Sequence, residues 1–304
     1  MQVESGTGWN AEGGMLPHDC HVHMALDGDD WKAALARHAG RPDEAHVRKV
    51  LAAYADAGFA YLRDGGDNCD AGWLARGIAH EYDIEYVSPC FAIHEEGSYG
   101  GFLGRSFADM REFETLVDEV ALLGGDFVKV MLSGIMDFDR YGRITGKTLS
   151  PEMVRMMVAY AHARGFAVMA HVNGARAIEA AVEAGVDSVE HGYFSDEQSR
   201  RALARSGAVW VPTLSPVANL IGAGTADDAV LRRILNEQVE AVREVAEQGG
   251  LVALGSDAGS HGVHHVGAAG GELQLMHEAL GESCEQVLSR GFDALRSRFA
   301  RRDG

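Results

Sequence analysis

The stretch "PHDCHVHM", residues 17–24, sets His21 and His23 two apart, with His18 just ahead of them. Alternate residues of a strand share a face, so Asp19, His21 and His23 are expected on one side. Cys20, Val22 and His18 would then face outward, toward helices. Two inward histidines can be satisfied interior residues or can share one metal ion, and the pair alone leaves both readings open. Further along, His171 ends the apolar run "FAVMAH", His191 ends "VDSVEH", and Asp257 follows "LVALGS". Four histidines and a carboxylate at the ends of apolar strands would carry a large desolvation cost if unpaired. A divalent cation held by neutral imidazoles and a carboxylate removes that cost, and the donor set suits zinc.

Lys129 stands in "DFVKVML", among Val128, Val130, Met131 and Leu132. Burial there disfavours the ammonium and favours the neutral amine. A neutral amine can take up CO2 to give a carbamate, a carboxylate-like group able to bridge two metal ions. The alternatives are an ion pair with Asp126 or a side chain that snorkels to solvent.

Such residues need a scaffold that brings strand ends together. Short apolar strands alternate with amphipathic helices along the whole chain. The strands are "MLPHDCHVHM", "FAYLRD", "IEYVSPCFAI", "DFVKVML", "FAVMAH", "VDSVEH", "AVWVPT" and "LVALGS". Val47, Val50, Leu51 and Tyr54 mark one helix near 42–57, stopped by Gly58. A weaker helix is expected near 70–80, and another near 107–123 with Phe113, Leu116, Val117 and Val120 on one side. Ser150 followed by Pro151 is a strong helix start. Val287, Leu288, Phe292, Leu295 and Phe299 define the last helix. Eight strand–helix units of roughly forty residues predict a (β/α)8 TIM barrel. A doubly wound sheet is the competitor, but no Rossmann glycine fingerprint follows strand 1. The Gly-rich stretches near 97–104 and 262–271 read as loops at the C-terminal face.

The formal net charge of −18 argues against nucleic acid and anionic membranes as partners; the expected partner is a small-molecule substrate. Homo-oligomerisation is left open. Cys20, Cys69, Cys90 and Cys284 form no CxxC pair, which points to reduced thiols and a cytoplasmic protein. The polar start "MQVESGTGWNAEGGM" has no apolar signal core, and no apolar run has the length of a membrane span.

Taken in order, "DCHVH", "VKVM", "AHVNG", "VEHG" and "GSDAG" resemble the amidohydrolase superfamily, and Lys129 places the chain with its binuclear members. "YLRDGGD" and "VPTLSP" are most similar to the branch of metal-dependent Xaa-Pro dipeptidases (prolidases) and carboxypeptidase-like amidases. The resemblance implies that His21, His23 and Asp257 hold the more buried of two divalent ions, most simply Zn2+. His171 and His191 would hold the more exposed one. Carbamylated Lys129 and a hydroxide would bridge them, with Asp257 as catalytic proton shuttle. The family's usual β-sandwich is not expected here. Residues 1–304 are read as one metal-dependent hydrolase barrel, with its core at about 15–285 and a C-terminal helix at 286–300. Asn173 stands where the dipeptidase branch commonly has histidine, and no tyrosine follows "PTL". Both positions fall where substrate would bind.

Arg63, His94, Asn173 and His261 are the candidate substrate contacts. Arg63 could grip a carboxylate in a bidentate fork or pair with Asp64 or Asp67. Glu95, Glu96, Asp137 and Asp139 could make the mouth acidic or belong to a solvated loop. The expected reaction is hydrolysis of an amide in a dipeptide or N-acyl amino acid-like molecule. A lactonase, esterase or phosphotriesterase on the same binuclear site is the runner-up. A non-catalytic metal-binding barrel is the alternative from a different class. A mononuclear deaminase fits less well, because "HVNGAR" lacks the glutamate usual after the strand 5 histidine.

Overall fold

A computed structural model describes residues 17–302. The expected first strand is β1 (His18–Val22); the part of its assignment on residues 15–16, like the reading of the N-terminal segment, lies outside the described residues. In chain order there follow α1 (Trp31–Arg37), α2 (Glu44–Asp56), β2 (Tyr61–Asp64), α3 (Ala71–Ile78), β3 (Glu85–Val87), β4 (Ala92–Glu95), β5 (Gly104–Phe107), α4 (Met110–Leu123) and β6 (Val128–Met131). Next come α5 (Pro151–Ala163), β7 (Val168–Val172), α6 (Ala175–Ala184), β8 (Ser188–His191), α7 (Glu197–Ser206) and β9 (Val209–Val211). The last are α8 (Ser215–Ala218), α9 (Asp228–Glu247), β10 (Leu251–Val252), α10 (Gly267–Leu280) and α11 (Cys284–Arg298).

All strand pairs are parallel, running β1-β2-β3 and β10-β9-β8-β7-β6-β4-β5. Backbone hydrogen bonds join the two runs into a (β/α)8 barrel. On one side Cys20 N–H donates to Leu254 O (2.9 Å), Asp257 N–H to His21 O (2.8 Å) and His23 N–H to Ala258 O (2.7 Å). On the other, Asp126 N–H donates to Ser88 O at 2.9 Å. β3 and β4 together are the third barrel strand, expected as one piece. Pro89 has no N–H to donate and Cys90 takes a left-handed φ of 68°, so the ladder breaks between them.

Local chemistry explains the helix starts. The Ser150 side chain accepts from Met153 N–H with Pro151 in the first turn, and Asp43, Asp109 and Asp227 cap α2, α4 and α9 in the same manner. α1 and β5 are elements for which nothing was expected, and one expectation changes: α10 already begins at Gly267, inside the stretch near 262–271 read as loop.

Two buried layers divide the core. Outward residues such as Val22, Leu62, Tyr86, Val130 and Val189 meet the helices. Inside the barrel, Cys20, Tyr61, Val87, Phe127, Met169 and Val211 pack with Phe292, Leu295 and Phe299 of α11. The last helix thus plugs one end of the barrel. It reaches that position because Gly291 has no Cβ; one would fall 1.9 Å from Val252 O.

Candidate active site

β1 does not alternate as expected. Its pairing with β2 shifts register between Asp19 and Val22, so Cys20 turns into the barrel while Asp19 leaves the histidine face. Asp19 binds the backbone N–H of Ser256 (2.9 Å) and its hydroxyl (2.5 Å) instead, which ties β1 to the segment carrying Asp257.

His21, His23, Lys129, His171, His191 and Asp257 all line one cavity of about 630 Å3. His23 Nε2 lies 3.2 Å and His21 Nε2 3.6 Å from Asp257 Oδ1. Ligand atoms of these three residues fall within 4.8 Å of one another. The His171 and His191 rings meet with centroids 4.6 Å apart, and His191 lies 5.1 Å from His21. Gly65 makes room for His23, since a Cβ there would come within 2.3 Å of the ring.

Several partners orient the rings. Glu190 accepts from His21 Nδ1 at 2.7 Å, leaving Nε2 with its lone pair toward Asp257. Gly134 O lies 3.2 Å from His171 Nε2, and Thr213 Oγ1 2.7 Å from His191 Nδ1. His191, Thr213 and Asp257 have left-handed φ angles of 66°, 49° and 60°. Such backbone is costly for residues other than glycine and persists only where the surroundings hold it. At His191 the carbonyl is held by Trp210 Nε1 (3.0 Å) and Gln238 Nε2 (2.5 Å).

The electrostatics suit a cation site. Burial first, then Lys129, pushes His21 down to about 4 and His171 to about 3. Burial also takes His191 well below its usual value. All three imidazoles are therefore neutral at pH 7 and can donate lone pairs. Burial would raise Asp257, but His21, His23 and Lys129 outweigh it and hold the carboxyl low. His21 Nε2 is buried and makes no hydrogen bond among the described residues. A divalent cation would satisfy that atom, so the donor set fits one. Lys129 is 1% exposed, and burial pushes its amine down to about 8. Its suggested partner Asp126 is bound to Arg76 by two 2.7 Å contacts, and the side chain does not snorkel out.

The candidate substrate contacts divide. Asn173 and His261 line the cavity. Asn173 also braces the site, donating to Gly134 O (3.2 Å) and accepting from Tyr193 N–H (3.1 Å). Arg63 is fully buried in the barrel, off the cavity wall, with Nη2 2.9 Å from both Glu190 oxygens and Nη1 2.8 Å from Ser188. Its partner is neither Asp64 nor Asp67, and it is not free for a substrate carboxylate. His94 also lies off the wall. Its ring packs near Gly101, and Nδ1 is 2.9 Å from Glu95 O. Asp137 and Asp139 line the mouth with Asp29, whereas Glu95 and Glu96 do not.

Glu190 and Thr213 act as orienting groups, and Trp31, Tyr99 and Phe102 form an aromatic wall, though none of the five was among the expected site residues. Glu190 had a usable signal. A carboxylate just before His191 in an apolar strand raises the same burial problem as Lys129.

The profile described as "Amidohydrolase family" matches residues 19–295, and the chain belongs to that family. Ochratoxinase of Aspergillus niger is 26% identical over 280 residues, covering 80% of this chain and 57% of the relative. The chain thus spans little more than half the length of that protein. An uncharacterized protein of Mycobacterium bovis is 27% identical over 284 residues, covering 89% of this chain and 71% of the other. Among solved structures, a Xaa-Pro dipeptidase with bound methionine superposes with a TM-score of 0.76 at 20% identity. The match covers 93% of this chain and 75% of that one, a likeness of fold. No helix among the described residues is long and apolar enough to cross a membrane.

Proposed function

We propose that the chain is a metal-dependent hydrolase that cleaves an amide bond in a small molecule the size of a dipeptide or N-acyl amino acid. The observation that carries this reading is the lining of one cavity by His21, His23, Lys129, His171, His191 and Asp257. Family membership and the names of the relatives, a dipeptidase among them, support it. His21, His23 and Asp257 would hold one divalent ion and His171 and His191 a second, both most simply Zn2+. Lys129 would lie between them after its neutral Nζ adds CO2 and releases a proton. Two such ions would lower the pKa of a water and polarise the scissile carbonyl.

The chain's own residues do the rest. Glu190, Gly134 and Thr213 hold three imidazoles in fixed orientation. Asp257, 8% exposed at the cavity, accepts the proton of the attacking water and returns it to the leaving nitrogen. The test is Asp257→Asn, which keeps the shape and one ligating oxygen but removes the base. Metal content should stay, while kcat falls by roughly 10²- to 10⁴-fold. Near-native kcat with full metal content would remove Asp257 from proton transfer. A broad amide, ester and phosphotriester screen separates the amidase reading from its runner-up.

A further inference from the structure

The walls above the ligand cluster are apolar and aromatic, formed by Trp31, Tyr99, Phe102, Met131, Met136 and Phe138. Tyr99 lies 5.0 Å from the His171 ring and 5.8 Å from Phe102, which lies 5.3 Å from Trp31. One aromatic surface therefore runs from a candidate ligand to the mouth. Beyond the ligand cluster, the carboxylates on the lining are Asp29, Asp137 and Asp139. Among the described residues no arginine lines the cavity, and its single lysine is Lys129. Residues 1–16 and 303–304 contain neither lysine nor arginine. The nearby cations already have partners, two of them on residues of the cavity rim itself. Arg143 lies 3.5 Å from Asp137, Lys32 sits over the Trp31 ring at 5.4 Å, and Arg63 is held by Glu190.

A carboxylate drawn into this cavity would lose water, gain no unpaired arginine or lysine outside the ligand cluster, and approach Asp29 and Asp139, with Asp137 offset in part by Arg143. An aromatic or branched aliphatic group would instead gain burial and ring contacts. A cavity of about 630 Å3 lies within the range of drug-sized ligand sites. We propose that the substrate is an amide bearing a bulky apolar group, aromatic or aliphatic, and no free carboxylate beside the scissile bond. The inference rests on the amide-hydrolase reading. It narrows that reading away from dipeptides and N-acyl amino acids, which all carry the carboxylate.

N-benzoylphenethylamine and N-benzoylphenylalanine differ only in that carboxylate. Two measurements compare them: kcat/KM with the zinc-loaded full chain, and affinity for the metal-free full chain followed by tryptophan fluorescence. The neutral amide should be preferred by at least about tenfold in each. Thr145→Arg places a cation on the cavity wall at the cost of one hydroxyl bond to Ile135 O. It should swing both ratios toward the acid by about tenfold or more. Equal preference, preference for the acid, or ratios unmoved by Thr145→Arg would each overturn the inference. If neither amide is cleaved, the affinity ratio decides. A tenfold neutral preference upholds the cavity's selectivity and leaves only the choice of reaction in question; a smaller one overturns it.

Discussion

His21 and Glu190, 169 positions apart in the chain, meet inside the barrel with Nδ1 2.7 Å from Oε2. Arg63 grips the same carboxylate, and Ser188 donates to it at 2.5 Å. Burial alone would raise the Glu190 pKa, but Arg63, His21 and Lys129 outweigh it and hold the group down to about 2. The ionised carboxylate fixes the His21 tautomer and keeps Nε2 available to the site. Glu190→Gln should therefore weaken metal affinity by roughly 10- to 100-fold, read by competition with a chelating dye. It should also lower the melting temperature, because Arg63 stays buried without its countercharge. Unchanged affinity would reduce Glu190 to a structural partner of Arg63.

Lys129 is tested by stoichiometry. Elemental analysis of the native chain, supplied with zinc and bicarbonate, should find about two ions per chain. Lys129→Ala should bind fewer and lose most activity. In bicarbonate-free buffer, a short carboxylic acid should restore part of it by occupying the carbamate's place. Full activity and full metal content in Lys129→Ala would end the carbamate assignment.

Glu272 reports on the loop that carries Thr213. It is fully buried and accepts from Leu214 N–H (2.8 Å), Ser215 N–H (2.7 Å) and the Ser215 hydroxyl (2.6 Å). Burial outweighs these donors and raises its pKa from 4.5 to about 7. A raised folded pKa means that the folded state holds the proton more tightly. Its contribution to stability is complete below pH 4.5 and is lost as pH rises through about 7. Gln at this position cannot titrate. The melting-temperature deficit of Glu272→Gln should therefore shrink between pH 4.5 and 7; a constant deficit would show that the carboxyl is ionised throughout.

Phe299 closes the barrel. It packs 5.2 Å from Phe127 and lies under the Arg63 guanidinium at 4.6 Å, fully buried. Phe299→Ala should cost about 3–5 kcal/mol of unfolding free energy, measured by denaturant melts. Truncation at residue 285, which removes Phe292, Leu295 and Phe299 together, should lower the melting temperature further or make the chain insoluble. An unchanged melting curve would mean that α11 closes nothing of consequence.

The sequence by itself determined the barrel and the residues gathered at its mouth. Strand and helix periods differ, so "FAVMAH" and the Val47–Tyr54 pattern announce their elements without any tertiary contact. Polar groups such as Lys129 and His171 in apolar strands are too costly to be incidental. Tertiary structure alone decided what depends on register and on partners remote in the chain. The shift at Cys20 turned Asp19 off the histidine face, because one irregular pairing reverses the alternation that local spacing assumes. Arg63 found Glu190 from 127 positions away, where local reading offered only Asp64 and Asp67. The aromatic wall and its lack of a cation arise from loops after different strands, brought together only when the barrel closes.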